Sequence, residues 1–382
     1  MTQKLYDNDS HATEFDAVVL GCEKMGDVYK TELDRTLFFP EEGGQCSDRG
    51  HVDSVEIIGA ELCGDTIYHI SLEPLTVGKS VHGSIDFALR FRNMQNHSGE
   101  HIICGIAHKL YGYENVGFHL GEKVVTMDLS GELSADDIKK IELLANEAVV
   151  RNMPVTAYYP TDDELASMDF RAKGEIEGKV RVVTIGDVDS CACCAPHVKH
   201  TGEIGIIKII DAMRHRGGMR LSILCGFDAL RDYDERCEAA KSISGLLSVP
   251  RDEIAHGVQN LFDDANRLRA ELSQKEKKLS ELSAATVQSS DANICLFCTD
   301  ADGDSLRRMA NILKEKTPRL AIALSGSDEG GYTYVMAISS GDIAPFATDA
   351  NSALNGRGGG KGTMASGRFA CTREKIENYF LL

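Results

Sequence analysis

Asn96–Gly112 reads NHSGEHIICGIAHKLYG, and this stretch decides how the middle of the chain is built. His97 and His101 stand four residues apart, with Glu100 between them, at the head of a segment with helical periodicity. That pattern predicts a helix over His97–Leu110. Residues i and i+4 share one helix face, so a single element can offer two imidazoles to a metal ion. Taken alone, the pair reads better as a chance pair, or as two histidines hydrogen-bonded in a core.

A second cluster changes the balance. Asp187–Gly205 reads DVDSCACCAPHVKHTGEIG and follows a stretch, Val180–Gly186, that reads as a strand. Cys193 and His197 are again four apart, and together the two clusters supply His, His, Cys and His, a donor set suited to zinc. Cys191 and Cys194 lie close enough in sequence to compete with Cys193, and spacing alone does not choose among the three.

Outward from these clusters the fold class is α+β. Residues 1–90 alternate β-rich runs such as FDAVVLGCEK and TIYHISLEPL with Gly, Asp and Asn turn signals, which predicts a small antiparallel β-barrel with a Gly-rich loop. Residues 91–226 read as an α+β core that would carry the zinc site, with two strands around a turn in Val116–Gly131 and a long helix capped at Ser134 and stopped by Pro154. In residues 227–288, Ser248 is the expected N-cap of a helix carrying Ile254, Val258, Leu261, Ala265, Leu268, Leu272, Lys275, Leu279 and Leu282 at steps of four and three, a helical hairpin or coiled coil. Residues 289–382 alternate strands with a helix and read as a compact α/β domain. Cys295 and Cys298 have C-x-x-C spacing but no second pair, so a metal role there is not expected.

Composition sets limits. The 382-residue chain is 42% apolar and 26% charged, ordinary for a globular protein. It has no basic-then-apolar leader and no long apolar run, which predicts a cytoplasmic protein without a membrane partner. Its 12 cysteines then read as reduced thiols. A net charge of −18 argues against a generally basic nucleic-acid binder, leaving local patches such as Met213–Arg220 and Ser305–Arg319.

The motifs also carry a resemblance. H-S-G-E-H, the C-x-x-x-H that runs into V-x-x-T-G-x-I-G, and Phe38–Gly50 (FFPEEGGQCSDRG) together resemble the editing half of alanyl-tRNA synthetases. They are similar to the free-standing alanyl-tRNA editing proteins of the long type. Asn355–Gly367 (NGRGGGKGTMASG) resembles the glycine-rich signature of the small domain ending those synthetases, also found in DHH-type phosphoesterases, so the likeness runs through essentially the whole chain. The resemblance implies that His97, His101, Cys193 and His197 bind Zn2+. It implies hydrolysis of the ester in alanine tRNA mischarged with serine or glycine, without aminoacylation. Where the family has P-E-G-G-G-Q this chain has Glu42 in place of a glycine, and Pro196 interrupts the family's C-G-G-T-H. The positions of Glu100 and His119 are often Thr and Gln in the synthetases.

On this reading Glu100 is a general base or an acceptor that holds a ligand imidazole. Gly43, Gly44, Gln45, His119 and Glu122 are candidates for substrate binding. Arg357, Gly358, Gly359, Lys361 and Arg368 form a Gly-rich loop for tRNA, and a homodimer would use the coiled coil or the C-terminal domain. Asp48 and Asp86 match family positions, but a turn-capping role suits both equally well. The alternative is a non-catalytic tRNA-binding or synthetase-associated protein with a structural zinc. A metallopeptidase is disfavoured because H-S-G-E-H is not H-E-x-x-H.

Overall fold

The computed structural model describes residues 2–121, 124–172 and 179–381, and the chain divides into two compact units, Met1–Ala239 and Ala240–Leu382. Both mix helices with sheets, and the described residues contain eight α-helices.

In the first unit β1 (Gln3–Lys4) pairs in parallel with β4 (Arg35–Thr36). Six strands, β2 (Glu14–Met25), β3 (Val28–Leu33), β5 (Gly50–Val52), β6 (Val55–Cys63), β7 (Thr66–Ser71) and β8 (Ser80–Ile85), pair in the order β2-β3-β7-β6-β5-β8 and close into a barrel. Period-two alternation builds its interior: Phe15, Ala17 and Val19 of β2 and Ile67 of β7 turn inward onto Leu33, Phe38 and Phe39. Polar side chains are buried here too, Thr31, His69 and Ser71 among them. His69 is fully buried; its Nδ1 donates to the Thr31 carbonyl (3.1 Å) and its Nε2 accepts from the Thr36 hydroxyl (2.7 Å).

Helix α1 (Phe87–Tyr111) follows. It starts ten residues before the expected His97 because Asp86 caps it, accepting from Leu89 N at 3.1 Å, and it ends at Gly112 with φ 71°. Every residue from Asn93 to Ala107 is buried, so α1 runs through the centre of the unit. On one side lies the sheet β14-β15-β10-β9, made of β9 (Asn115–Leu120), β10 (Val125–Leu129), β14 (Ile207–His215) and β15 (Gly218–Cys225). Nearby are α2 (Ala135–Val150), opened by the Ser134–Asp137 capping box, and α3 (Asp162–Ser167). A second sheet joins β11 (Val155–Tyr158), β12 (Val182–Ile185) and β13 (Asp189–Ala192). Gly105 admits this sheet, since a Cβ there would stand 2.5 Å from Val188 O and 2.7 Å from Asp189 Cβ. Helix α4 (Phe227–Leu247) begins immediately after β15.

The second unit contains α5 (Ile254–Ala285) and the sheet β16-β17-β18-β20-β19. Its strands are β16 (Ile294–Cys298), β17 (Leu320–Ser327), β18 (Gly331–Ile338), β19 (Gly356–Lys361) and β20 (Met364–Phe369). Helices α6 (Gly303–Leu313), α7 (Ala344–Ala353) and α8 (Arg373–Leu381) pack with it.

Two expectations are corrected here. Ser248 does not cap the long helix: it sits at φ 54°, and a 3₁₀ turn over Arg251–Glu253 leads into α5. The Gly-rich run is a hairpin rather than a loop, with β19 at the edge of the sheet and a turn at Gly362 (φ 67°). The stripe on α5 is exposed in the chain, with Leu261, Phe262, Leu268, Leu272, Leu279 and Leu282 between 55% and 66% accessible. No helix of the described residues is long and apolar enough to cross a membrane.

Candidate metal centre

The helical spacing of His97 and His101 turns both imidazoles to one side of α1, and the turn after β13 brings Cys193 and His197 against them. One donor atom from each of the four lies within 4.8 Å of the others, and the cluster is largely buried. Cys193 Sγ stands 3.6 Å from His97 Nε2 and 3.4 Å from His197 Nε2.

The outer nitrogens explain why these rings face inward. His97 Nδ1 donates to Gln45 Oε1 (2.7 Å), and His101 Nδ1 donates to Asp189 Oδ2 (3.0 Å). His197 Nδ1 donates to Ser98 Oγ (3.0 Å), which also accepts from Val198 N. A carboxamide oxygen and a carboxylate accept only, so the proton rests on Nδ1 and the lone pair of Nε2 turns towards the cluster. Arg171 grips Asp189 through Nε (2.8 Å) and Nη2 (2.9 Å), which fixes the carboxylate in turn.

The electrostatics suit a cation. Burial opposes ionisation of Cys193, but the imidazoles of His97 and His197 and hydrogen bonds from His101 and His197 outweigh it and hold the thiol well below its ordinary range. Burial pushes His197 down to about 3, which favours the neutral, ligating imidazole. Burial raises the thiols of Cys191 and Cys194 instead. The residues therefore fit a metal ion, with three imidazoles and one activated thiolate converging and each ring held from behind. The only other grouping of potential ligands among the described residues, His101 with Asp189 and Cys191, shares His101 and is occupied by Arg171.

The cluster opens on a cavity of about 430 Å³ lined by Glu42, Gly43, His97, Glu100, His101 and Asn115, with Tyr159, Arg171, Lys179 and Arg181 across from them. Glu100 is buried. Its Oε1 accepts from the Asn115 amide and from Cys104 Sγ (3.2 Å), while Oε2 lies 3.9 Å from His101 Nε2. The acceptor holding His101 from behind is thus Asp189, not Glu100.

The other expected residues disperse. Gly43 lines the cavity, but Gln45 is fully buried behind His97, and Gly44 packs so tightly that a Cβ would meet Phe118 O at 2.5 Å. His119 is exposed on β9, opposite Thr126 and away from the cavity lining, and Glu122 lies outside the described residues. Asp48 makes a fully buried ion pair with Arg90, and Asp86 is the cap of α1. In the second unit Arg357 and Arg368 face each other across β19 and β20, with Gly358, Gly359 and Lys361 beside them. Sequence reading missed Ser98, Asn115, Arg171, Arg181 and Asp189. Only Ser98, inside H-S-G-E-H, carried a local signal.

The four donors, beside the Glu100 carboxylate, form a largely buried cluster that fits a metal ion. Residues 180–221 match the threonyl and alanyl tRNA synthetase second additional domain, and residues 291–378 match the DHHA1 domain. The chain is 30% identical to the alanyl-tRNA editing protein AlaX-L of Pyrococcus horikoshii, over 71% of this chain and 72% of that one. It is 27% identical to the alanyl-tRNA editing protein Aarsd1 of Rattus norvegicus, over 99% and 97%. An alanine–tRNA ligase of Natronomonas pharaonis is 29% identical over 88% of this chain but only 38% of its own length. The chain belongs to the alanyl-tRNA editing protein family.

Proposed function

We propose that the protein hydrolyses the ester of alanine tRNA mischarged with serine or glycine, and that Zn2+ held by His97, His101, Cys193 and His197 serves that reaction. The observation that carries this reading is the convergence of the four donors beside Glu100 in one cavity, in a chain of this family. When bound, the ion supplies positive charge that polarises or positions the ester end of the substrate. Glu100 accepts the proton of the attacking water at Oε2, while Asn115 and Cys104 keep Oε1 oriented. Lys4 and Lys179 in the cavity lining offer cationic partners for the terminal phosphates. Arg357, Gly358, Gly359, Lys361 and Arg368 give the edge hairpin of the second unit a basic, open backbone for the rest of the tRNA. The exposed stripe of α5 supports the coiled-coil reading, with a second copy of the chain as its partner.

The test is deacylation of Ser-tRNA and Ala-tRNA, both on the alanine tRNA, by the purified protein. Serine is expected to be released while alanine is spared, and His97→Ala is expected to lose both metal and activity. A second reading, a tRNA-binding protein with a structural zinc, draws on the four-donor set, since closed sites of this kind are usually structural. Glu100→Gln separates the two: with metal and tRNA retained, loss of activity supports the esterase, and wild-type protein inert towards both esters supports the binding protein.

A further inference from the structure

We propose that Glu42 binds the α-ammonium group of the aminoacyl substrate, forming a specificity subsite on the barrel side of the metal cavity. This rests on the reading above that the substrate is an aminoacyl ester. The backbone comes first. Glu42 N donates to Gln45 O (3.2 Å) and Gln45 N to Glu42 O (3.0 Å), closing a two-residue turn in which Gly43 and Gly44 have φ of 63° and 85°. Both left-handed positions are taken by glycine, so Glu42 costs the turn nothing even though the related motif has a glycine there. Residues paired across such a turn project to the same side. Gln45 uses that direction to hold His97, and Glu42 uses it to reach the cavity wall.

The carboxylate there is underused. It meets the side chain of Cys194, while its Oε2 is buried and has no hydrogen-bond partner among the described residues. The two arginines that line the cavity are committed elsewhere. Arg181 Nη1 donates to Cys193 O (3.1 Å) and Ala195 O (2.9 Å) and its Nε lies 3.3 Å from Asp7 Oδ1, while Arg171 holds Asp189. A buried carboxylate oxygen lacking a donor is unfavourable unless a ligand supplies one. An aminoacyl ester supplies one with a positive charge, on the carbon next to the reacting carbonyl. Glu42 and Glu100 line the same cavity, so the group recognised and the bond broken fall within one site. A peptide or N-blocked ester would leave Glu42 unpaired, so the subsite selects free aminoacyl groups.

The experiment measures binding of two non-hydrolysable probes to the full-length protein by calorimetry. One is adenosine carrying a seryl group through a 3′-amide; the other is its 2-hydroxy counterpart, with OH in place of the ammonium. Wild type is expected to favour the ammonium probe by roughly 10- to 100-fold, the range of a charge-assisted hydrogen bond. Glu42→Gln and Glu42→Gly should bring the ratio close to one with metal content unchanged, the glycine variant being the one the related motif shows to be compatible with the turn. An unchanged ratio in both variants, equal binding of the probes to wild type, or binding of neither overturns the subsite. A Glu42-dependent preference in a protein that leaves Ser-tRNA intact would retain the subsite and refute the esterase, while hydrolysis with no such preference would do the reverse.

Discussion

Each imidazole of the cluster leans on a different acceptor, a carboxamide on His97, a carboxylate on His101 and a hydroxyl on His197. Asp189 is the one bearing charge, and Asp189→Asn is expected to weaken metal binding roughly 10- to 100-fold, read by competition with a chelator. The i, i+4 spacing made His97 and His101 readable in the sequence, because the geometry of one helical turn is local, whereas Cys193 was singled out from Cys191 and Cys194 only by the resemblance. Asp189 was invisible as a partner: it meets His101 only because β13 crosses α1 at Gly105, 88 residues of chain away. His69 makes a second prediction at this scale. Burial pushes it down to about 4 in the folded protein, below its ordinary 6.5, so the unfolded chain binds the proton more readily. Its contribution is complete above pH 6.5 and fades as pH falls towards 4, by roughly 3 kcal/mol. Urea midpoints measured across that window should fall with pH, and less so in a His69→Gln variant.

At the scale of elements, the turn of Gly43 and Gly44 does more than reverse the chain. Gly44 O accepts from Leu120 N (2.9 Å), which fastens the turn to β9. Gly44→Ala would combine a left-handed φ with a Cβ against Phe118 O, and a loss of about 1–3 kcal/mol is expected in urea unfolding. The join between the barrel and α1 is similarly localised in Asp48 and Arg90, both fully buried. Asp48→Ala leaves a guanidinium stranded and should cost about 3–5 kcal/mol in the same assay. The elements were readable where periodicity was strong, as in β2 and α2, and unreadable where it was absent. Glycines have no alternation to display, so the hairpin of β19 and β20 read as a loop. The hairpin also packs against Tyr334, whose hydroxyl would lie 2.7 Å from a Cβ at Gly358, a contact no local pattern announces.

For the whole molecule, a charge of −18 leaves few places where a polyanion can settle. If tRNA meets the Arg357–Arg368 pair, its affinity should fall steeply with salt, and Arg357→Ala should lower the slope of log K against log salt by about 0.7–0.9. An unchanged slope would remove that hairpin from the interface. The order of regions was legible because each carries its own rhythm, whereas the grouping of barrel and core into one unit was not, because contacts rather than composition decide it. Those contacts give the metal centre a second consequence. His97 and Cys193 are 96 residues apart in the chain. An ion gripping both closes a loop as long as many domains, and a crosslink of that span is worth about 4–5 kcal/mol in lost freedom of the unfolded chain. A metal held there would act as a staple, and its removal should lower the protein's stability as well as touch the site.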